Sequence, residues 1–256
     1  MRDNLNLLYN KYNKKSFIHP DPLETVYRFT NKDDMEVVGL IASSFAIGNL
    51  KAMLKFLDSL FIVMGSSPYN FLKDTSIEDL TEIFTDSYYR YYKAPDIIEF
   101  LLSIKNIINR YCSIEKWVMT LYRSNDETIV PLMKIMANEL NVGSTLIPKS
   151  SGNSGFKRLA LYFRWMVRND DVDLGLWKGI PRSKLIIPLD THIMRISNIL
   201  GFTSSKTNSM ANTLKITAAF RALEPDDPVK WDFSLSRLGI HPDLNYDELI
   251  GLFKKN

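Results

Sequence analysis

Two residues in the second half of the chain have side chains suited to covalent chemistry, and each begins a helix-like segment. Lys157 follows a loop rich in small residues, GSTLIPKSSGNSG (143–155), and opens a stretch of helical apolar periodicity that ends near Arg168. Asp190 precedes a second such stretch, which stops at Gly201. An amine can act as a nucleophile and form a Schiff base, and a carboxylate can stabilise positive charge that develops beside it. Together the two residues predict a site for both tasks.

Each residue also has a purely structural interpretation. A lysine is nucleophilic only without its proton, and burial beside a helix N-terminus with a neighbouring cation such as Arg158 favours that neutral form. Most lysines in a first helical turn are nevertheless solvated surface residues. Most aspartates before an apolar-periodic run, like Asp190, only cap the helix. Residue type alone leaves both interpretations open.

Size and composition indicate one folded unit without a linker. A chain of 256 residues can bury one large core or two closely packed lobes, so we expect residues 1–256 to form a single compact unit. Hydrophobic residues make up 45% of the chain, and no Pro-rich or Gly/Ser-rich stretch divides it. No apolar run reaches the roughly 18 residues of a membrane helix, and the N-terminus lacks the apolar stretch of a secretory signal. We therefore expect a cytoplasmic protein with no membrane partner.

The number of cysteines and the net charge limit the possible chemistry. Cys112 is the only cysteine, which excludes an intrachain disulfide, a four-thiolate iron–sulfur cluster and a cysteine-based zinc site. The three histidines are isolated from one another in sequence, and we expect neither a metal nor a cofactor. The net charge of +3 is too mild to identify a nucleic-acid binder. Between residues 157 and 168, however, all charged residues are basic, and Lys157, Arg164 and Arg168 share one helical face. This face predicts a basic stripe that contacts phosphates.

Helical periodicity covers nearly the whole chain, and strand-like alternation is scarce, so the predicted fold class is all-α. Residues 169–188 are predicted to be irregular. The predicted helices lie near 34–46, 50–64, 95–111, 113–124, 127–140, 156–168, 190–201, 207–223 and 228–238.

Three segments carry a resemblance to the helix-hairpin-helix DNA glycosylases, the superfamily of endonuclease III and the 8-oxoguanine glycosylases. PLDTHIMRISNILGF (188–202) resembles the aspartate-bearing segment of that superfamily, with its pattern D-T-H-hydrophobic-x-R-hydrophobic. SGFKRLALYFRWMVR (154–168) resembles the end of the hairpin and the next helix, with Gly155 and Lys157 in the places of the last hairpin glycine and the Schiff-base lysine. DMEVVGLIASSFAIGNLKAMLKFLDSL (34–60) resembles the first helix pair of the six-helix lobe.

The chain also departs from that superfamily, and it resembles a second family. The hairpin usually reads L-P-G-x-G-x-K, but Asn153 stands in place of its first glycine. Lys157 and Asp190 are 33 positions apart, which is longer than in the endonuclease III branch and more similar to the archaeal 8-oxoguanine branch. DPLETVYRF (21–29) and DPVKWDFSLSRLGI (227–240) resemble a bacterial family known as a domain of unknown function.

The glycosylase resemblance implies a two-lobe helical fold with the active cleft between the lobes. We expect one lobe at about 34–165 and the other at 1–33 plus 166–256. The implied activity is base-excision repair by a DNA glycosylase with AP-lyase activity, in which Lys157 attacks C1′ of the sugar and Asp190 stabilises the cation. The implied partner is double-stranded DNA with a damaged base, 8-oxoguanine first, bound by a monomer at the nucleoid. The alternative is a non-catalytic nucleic-acid-binding protein that retains the fold.

The resemblance and the charge pattern also imply which residues contact DNA. A flipped base is commonly held between aromatic or apolar faces, which makes Trp165 and Trp177 candidates for a base pocket. Phe45 falls near the position at which endonuclease III carries a DNA-probing glutamine. Trp165 could equally be a core residue, Trp177 part of a packed lid, and the tyrosine-rich segment 88–92 either a base-stacking or a packing element. The expected DNA-binding residues are Lys149, Ser151, Gly152, Asn153, Gly155, Arg158, Arg164, Arg168 and His192.

Overall fold

The computed structural model describes residues 1–141 and 146–253, and the regular structure in these ranges is helical. Fourteen α-helices and two short 3-10 turns occur there without any strand, which confirms the predicted all-α class. Of the helices described, none combines the length and the apolar character that a bilayer crossing demands. The helices are α1 (Arg2–Tyr12), α2 (Leu23–Val26), α3 (Lys32–Ser44), α4 (Leu50–Met64), α5 (Pro68–Asp74), α6 (Ile77–Ile83), α7 (Ala94–Tyr111), α8 (Ile114–Leu121), α9 (Val130–Leu140), α10 (Lys157–Val167), α11 (Thr191–Ile199), α12 (Met210–Leu223), α13 (Asp232–Ile240) and α14 (Asp247–Phe253).

The chain divides into two compact units. The middle unit comprises Asp21–Asp126 and Val130–Gly152, and the terminal unit comprises Met1–Pro20, Glu127–Ile129 and Asn153–Asn256. The chain therefore changes unit after Pro20 and after Gly152, whereas the sequence analysis places these changes after residues 33 and 165. As a result α10, which carries Lys157, belongs with the C-terminal helices, where the ionic partners of its buried side also lie.

The middle unit is built on amphipathic helices with an aromatic centre. Helix α4 starts at a cap in which the Asn49 side chain accepts the N–H of Ala52, and its buried residues recur at helical spacing. Phe45, directly after α3, is fully buried against Phe56 and Phe100 in edge-on contacts. These contacts join the end of α3 to α4 and α7 in one core.

The terminal unit packs α13 against both α1 and α11. Its irregular stretch after α10 folds back over the end of that helix. The carbonyl of Trp165 accepts N–H groups from Leu174 and Gly175, and the carbonyl of Met166 accepts the N–H of Trp177. The last carbonyls of a helix lack partners within the helix, so this returning chain satisfies them. Gly175 has a φ of +60°, and a Cβ there would overlap Asn169, so glycine is needed at this turn.

The predicted helices are found, with ends that shift by a few residues. The predicted 156–168 and 190–201 segments correspond to α10 and α11, which hold the candidate chemistry. The sequence analysis does not predict five helices, none of them longer than 11 residues: α1, α2, α5, α6 and α14. Residues 143–145 of the predicted loop lie outside the described residues.

Candidate active site

Lys157 and Asp190 meet in the terminal unit, each at the beginning of a helix. The Nζ of Lys157, the first residue of α10, lies 3.7 Å from Oδ2 of Asp190, the N-cap of α11. The other oxygen, Oδ1, accepts the N–H groups of His192 and Ile193, at 2.9 Å each. One oxygen of Asp190 therefore caps the helix while the other faces the amine, so the capping role and a chemical role are compatible.

The amine and the carboxylate are accessible without being fully solvated. The side chains of Lys157 and Asp190 are 35% and 16% exposed. Their separation of 3.7 Å is that of an ion pair and is longer than a hydrogen bond. Both side chains therefore keep some contact with solvent.

The residue before Lys157 fixes the direction in which α10 begins. Phe156 adopts a left-handed backbone conformation, with φ of 49°, and its side chain is buried. Its N–H donates to Oγ of Ser154 at 3.2 Å. A phenylalanine in this region of φ/ψ space costs on the order of 1 kcal/mol and persists only where packing enforces it. The buried ring supplies that packing, so the first turn of α10 is held in one orientation.

The face of α10 that begins with Lys157 continues with two arginines that are buried and paired, not exposed. The side chains of Arg164 and Arg168 are only 2% and 3% exposed. Arg164 donates from Nε to Asp173 at 3.1 Å and from Nη1 to Asp232. The prediction that these two arginines contact phosphates is therefore wrong. A buried guanidinium needs carboxylate partners within the protein, and these arginines have them.

Arg168 is the centre of this buried cluster. Its Nε donates to both oxygens of Asp227, at 3.1 and 3.0 Å, and its Nη2 lies 2.9 Å from Asp170. Its Nη1 donates to Asp173. Although burial alone would lower it, the pKa of Arg168 is raised well above its usual value by Asp173 and the other surrounding carboxylates. The cluster ties the end of α10 to the irregular stretch and to the turn before α13.

Asp232 connects the buried cluster electrostatically to the Lys157–Asp190 pair. Burial raises the pKa of Asp232 to about 6; the guanidinium of Arg164 opposes this shift, and the negative charges of Asp190 and Asp173 add to it. In the described part of the chain, Oδ1 of Asp232 is buried and has no hydrogen-bond partner. The pKa of Asp232 is therefore closer to neutral pH than that of an ordinary aspartate.

Replacing Asp232 by Asn is expected to change the pH dependence of stability. A carboxyl group with a raised folded-state pKa contributes stability that is present below about pH 4 and is lost as the pH rises through about 6. The difference in free energy of unfolding, wild type minus Asp232→Asn, should fall by about 2–3 kcal/mol between pH 4 and pH 7. Urea unfolding across this pH range measures it. The neighbouring exposed Asp226, replaced by Asn, is the control and should show no such trend; a flat difference for Asp232 would contradict the assignment.

The comparisons with known proteins identify a family. A family model described as "Protein of unknown function (DUF2400)" matches residues 21–241. The chain belongs to this family. No curated protein and no solved structure matches the chain. The matched span includes Lys157, Asp190 and Asp232, so the ionic region described above lies within the part of the chain that the family model covers.

The described part of the loop before α10 is exposed in its middle and buried at Leu146, Ile147 and Gly155. Lys149, Ser151, Gly152 and Asn153 are exposed, as a role in binding requires, and Arg158 is half-buried on the first turn of α10. Gly155 is different. It is buried, its N–H donates to the carbonyl of Asn208, and a Cβ there would overlap Thr213. The prediction that Gly155 contacts DNA is therefore wrong: this glycine is needed for close packing against the start of α12.

The aromatic residues predicted to hold a base are core residues. Phe45 is enclosed within the middle unit, as described above, and Trp165 is fully buried in the terminal unit. Trp177 is buried edge-on against Tyr162 and Phe163. None has a face that a base could reach without unpacking a core, so the prediction of a base pocket from these three residues is wrong.

The tyrosine-rich segment 88–92 divides into two kinds of residue. Tyr89 and Tyr92 are buried, with Tyr89 stacked on Phe56. Tyr88 and Tyr91 are exposed. The segment is thus both a packing element and a solvent-facing aromatic surface of the middle unit.

Two residues near the pair are missed by the sequence analysis. Asp232 lies in α13 and Tyr246 lies just before α14, far from the pair in sequence. The hydroxyl of Tyr246 is 2.7 Å from Nδ1 of His192. Neither residue belongs to a recognisable motif; Asp232 stands in the segment DPVKWDFSLSRLGI (227–240), whose resemblance to a bacterial family gives no role to single residues.

Proposed function

We propose that this protein is a base-excision enzyme, a DNA glycosylase with AP-lyase activity that follows the helix-hairpin-helix arrangement. The amine of Lys157 is the nucleophile and the carboxylate of Asp190 stabilises the sugar cation. The observation that carries the proposal is the contact of 3.7 Å between Nζ of Lys157 and Oδ2 of Asp190, with Oδ1 occupied by the helix cap.

The proposed reaction uses the two groups in sequence. As the bond between C1′ and the base breaks, the base leaves with the bonding electrons and takes up a proton, and Oδ2 of Asp190 stabilises the positive charge at C1′. The neutral amine of Lys157 forms a bond to C1′ and loses one proton. The C1′–O4′ bond then breaks, the remaining N–H proton is transferred to O4′, and the opened sugar is joined to the lysine as an imine. Loss of a proton from C2′ then expels the 3′ phosphate by elimination, which nicks the strand.

The surroundings of the pair support DNA as the substrate. Asn153, which is exposed, and Arg158, on the first turn of α10, belong to the same unit as the pair and supply a polar group and a positive charge that can hold a backbone. The match of segments 154–168 and 188–202 to the glycosylase pattern supports the same substrate class. Oxidised guanine is the proposed lesion, because the spacing of Lys157 and Asp190 resembles the archaeal 8-oxoguanine branch.

A panel of duplexes tests this function. Duplexes with 8-oxoguanine, uracil, an oxidised pyrimidine or a bare abasic site are incubated with the protein, and released base and nicked strand are measured separately. We expect excision of 8-oxoguanine and nicking at the abasic site, both absent from Lys157→Ala. A folded protein that binds every duplex and processes none would instead support a non-catalytic nucleic-acid-binding protein.

A further inference from the structure

Tyr246 contacts two side chains of α11 in different ways. Its hydroxyl oxygen lies 2.7 Å from Nδ1 of His192, and the guanidinium of Arg195 lies over its ring, 4.2 Å from the centroid. His192 and Arg195 are three residues apart, so they project from the same side of the helix. Tyr246 therefore contacts both side chains. His192 and Arg195 lie two and five positions after Asp190 in the sequence.

The backbone of α13 lies close to both Tyr246 and His192 at Gly239. A Cβ at Gly239 would overlap both the Tyr246 hydroxyl and Nδ1 of His192. Gly239 has an ordinary helical backbone conformation. A glycine is needed there because a side chain would have no space, and not because of the backbone conformation. The hydrogen bond between Tyr246 and His192 thus lies directly against a helix with no room for a methyl group.

The contacts determine which groups remain for a ligand. If the Tyr246 hydroxyl donates to Nδ1, the imidazole of His192 carries its proton on Nε2 and presents an N–H donor on its other side; the proposed site requires this tautomer. Burial raises the pKa of Tyr246, Arg195 opposes this and Asp190 adds to it, so the hydroxyl remains a donor at neutral pH. Arg195 is exposed and, among the described residues, forms no ion pair with a carboxylate; the ring of Tyr246 holds it instead.

We propose that Tyr246 joins His192 and Arg195 into one binding site for a phosphodiester group. An unpaired, planar guanidinium next to an imidazole N–H suits the oxygens of a phosphate. The identification of that phosphodiester as part of the DNA strand rests on the proposed function; the phosphate chemistry does not. Tyr246 is a positioning residue here, since it acts through the two residues that it holds.

Substitutions separate the parts of this site. Arg195→Gln should make the log–log dependence of duplex affinity on salt less steep by about 0.9, because one phosphate contact is lost. Tyr246→Phe keeps the ring under Arg195 but loses the hydroxyl, so the slope should stay unchanged while affinity falls by about three- to tenfold. Gly239→Ala should weaken binding as Tyr246→Phe does. Gly251→Ala, in α14, is the matched control, because a Cβ there meets nothing within 4 Å.

Nitrogen NMR of the imidazoles gives a readout that a merely structural role would not change. The chain has three histidines, so single substitutions assign them. We expect the Nε2–H tautomer for His192 in the wild type and a mixture of tautomers in Tyr246→Phe. Inorganic phosphate should shift the His192 signals of the wild type and have a much smaller effect in Arg195→Gln.

The outcomes distinguish this site from the proposed function. The site is overturned if phosphate leaves the His192 signals of the wild type unmoved, or if Arg195→Gln binds duplex with an unchanged salt slope. Base excision by a protein with either result would leave the proposed function standing. A phosphate response and a reduced slope without any excision would support the site and reject the glycosylase.

Discussion

Base release by Asp190→Asn is expected to be slower than that by the wild type by about 10²–10³-fold, the usual effect of removing one group that stabilises charge in a transition state. Asn keeps an oxygen for the N–H groups of His192 and Ile193 but has no charge to direct at C1′. The cap therefore survives, and the free energy of unfolding should change by less than about 1 kcal/mol. Single-turnover excision and urea unfolding, measured on the same preparation, separate the two roles of Asp190.

The effect of Lys157→Ala should be larger still. No amine remains to form the imine, so strand nicking should fall to background. Lys178 is the matched control: it is an exposed lysine of the same unit, and Lys178→Ala should excise and nick as the wild type does. Nicking by Lys157→Ala at the rate of the control variant would assign the nucleophile elsewhere. An unchanged rate for Asp190→Asn would reduce Asp190 to a helix cap.

Arg168→Ala is expected to destabilise the fold strongly, by about 3–5 kcal/mol, because it leaves buried carboxylates without their cation. Asp227 and Asp173 are themselves buried, so water cannot readily replace the guanidinium. Denaturant unfolding at neutral pH measures the loss. If Arg168 were instead an exposed residue of the basic stripe predicted from sequence, its substitution would change the free energy of unfolding much less. The measurement therefore also decides between a buried and an exposed Arg168.

Arg2 provides the comparison for that experiment. It also pairs with a carboxylate, Glu224 at 3.0 Å, but its side chain is 54% exposed. Arg2→Ala should therefore cost no more than about 1 kcal/mol, as is usual for surface ion pairs. Equal effects of the two substitutions would mean that the cluster around Arg168 does not act as a buried network.

The sequence is informative about the pair because its signals are local. A loop of small residues before Lys157, and a capping residue before an apolar-periodic run at Asp190, identify two helix starts without knowledge of the rest of the fold. Their contact in space, in contrast, depends on how α10 and α11 pack, and only the resemblance to a known family predicts it.

The wrong predictions about Arg164 and Arg168 concern which side chains of a helix are buried. Periodicity correctly places Lys157, Arg164 and Arg168 near one another on α10, but it cannot reveal that carboxylates from distant segments cover the last two. Asp170 and Asp173, which follow directly in the sequence, were a partial signal that these charges could be neutralised internally. Asp232 and Asp227 lie about sixty residues away, and no local pattern connects them to α10.

The aromatic residues illustrate the same limit. Trp165 and Trp177 have the size and chemistry of a base pocket, but large aromatic rings are more often used to fill a core. Trp177 is buried because its segment returns over the end of α10 and donates its N–H to Met166. That return depends on a turn at Gly175, which composition alone does not specify.

Mapping the covalent intermediate tests the central claim most directly. Protein and a duplex with an abasic site or 8-oxoguanine are treated with borohydride, which reduces an imine to a stable adduct, and the modified peptide is identified by mass spectrometry. The account predicts one adduct, on Lys157, that is absent from Lys157→Ala and retained by Lys178→Ala. An adduct on another residue, or none from folded protein that binds these duplexes, would contradict it.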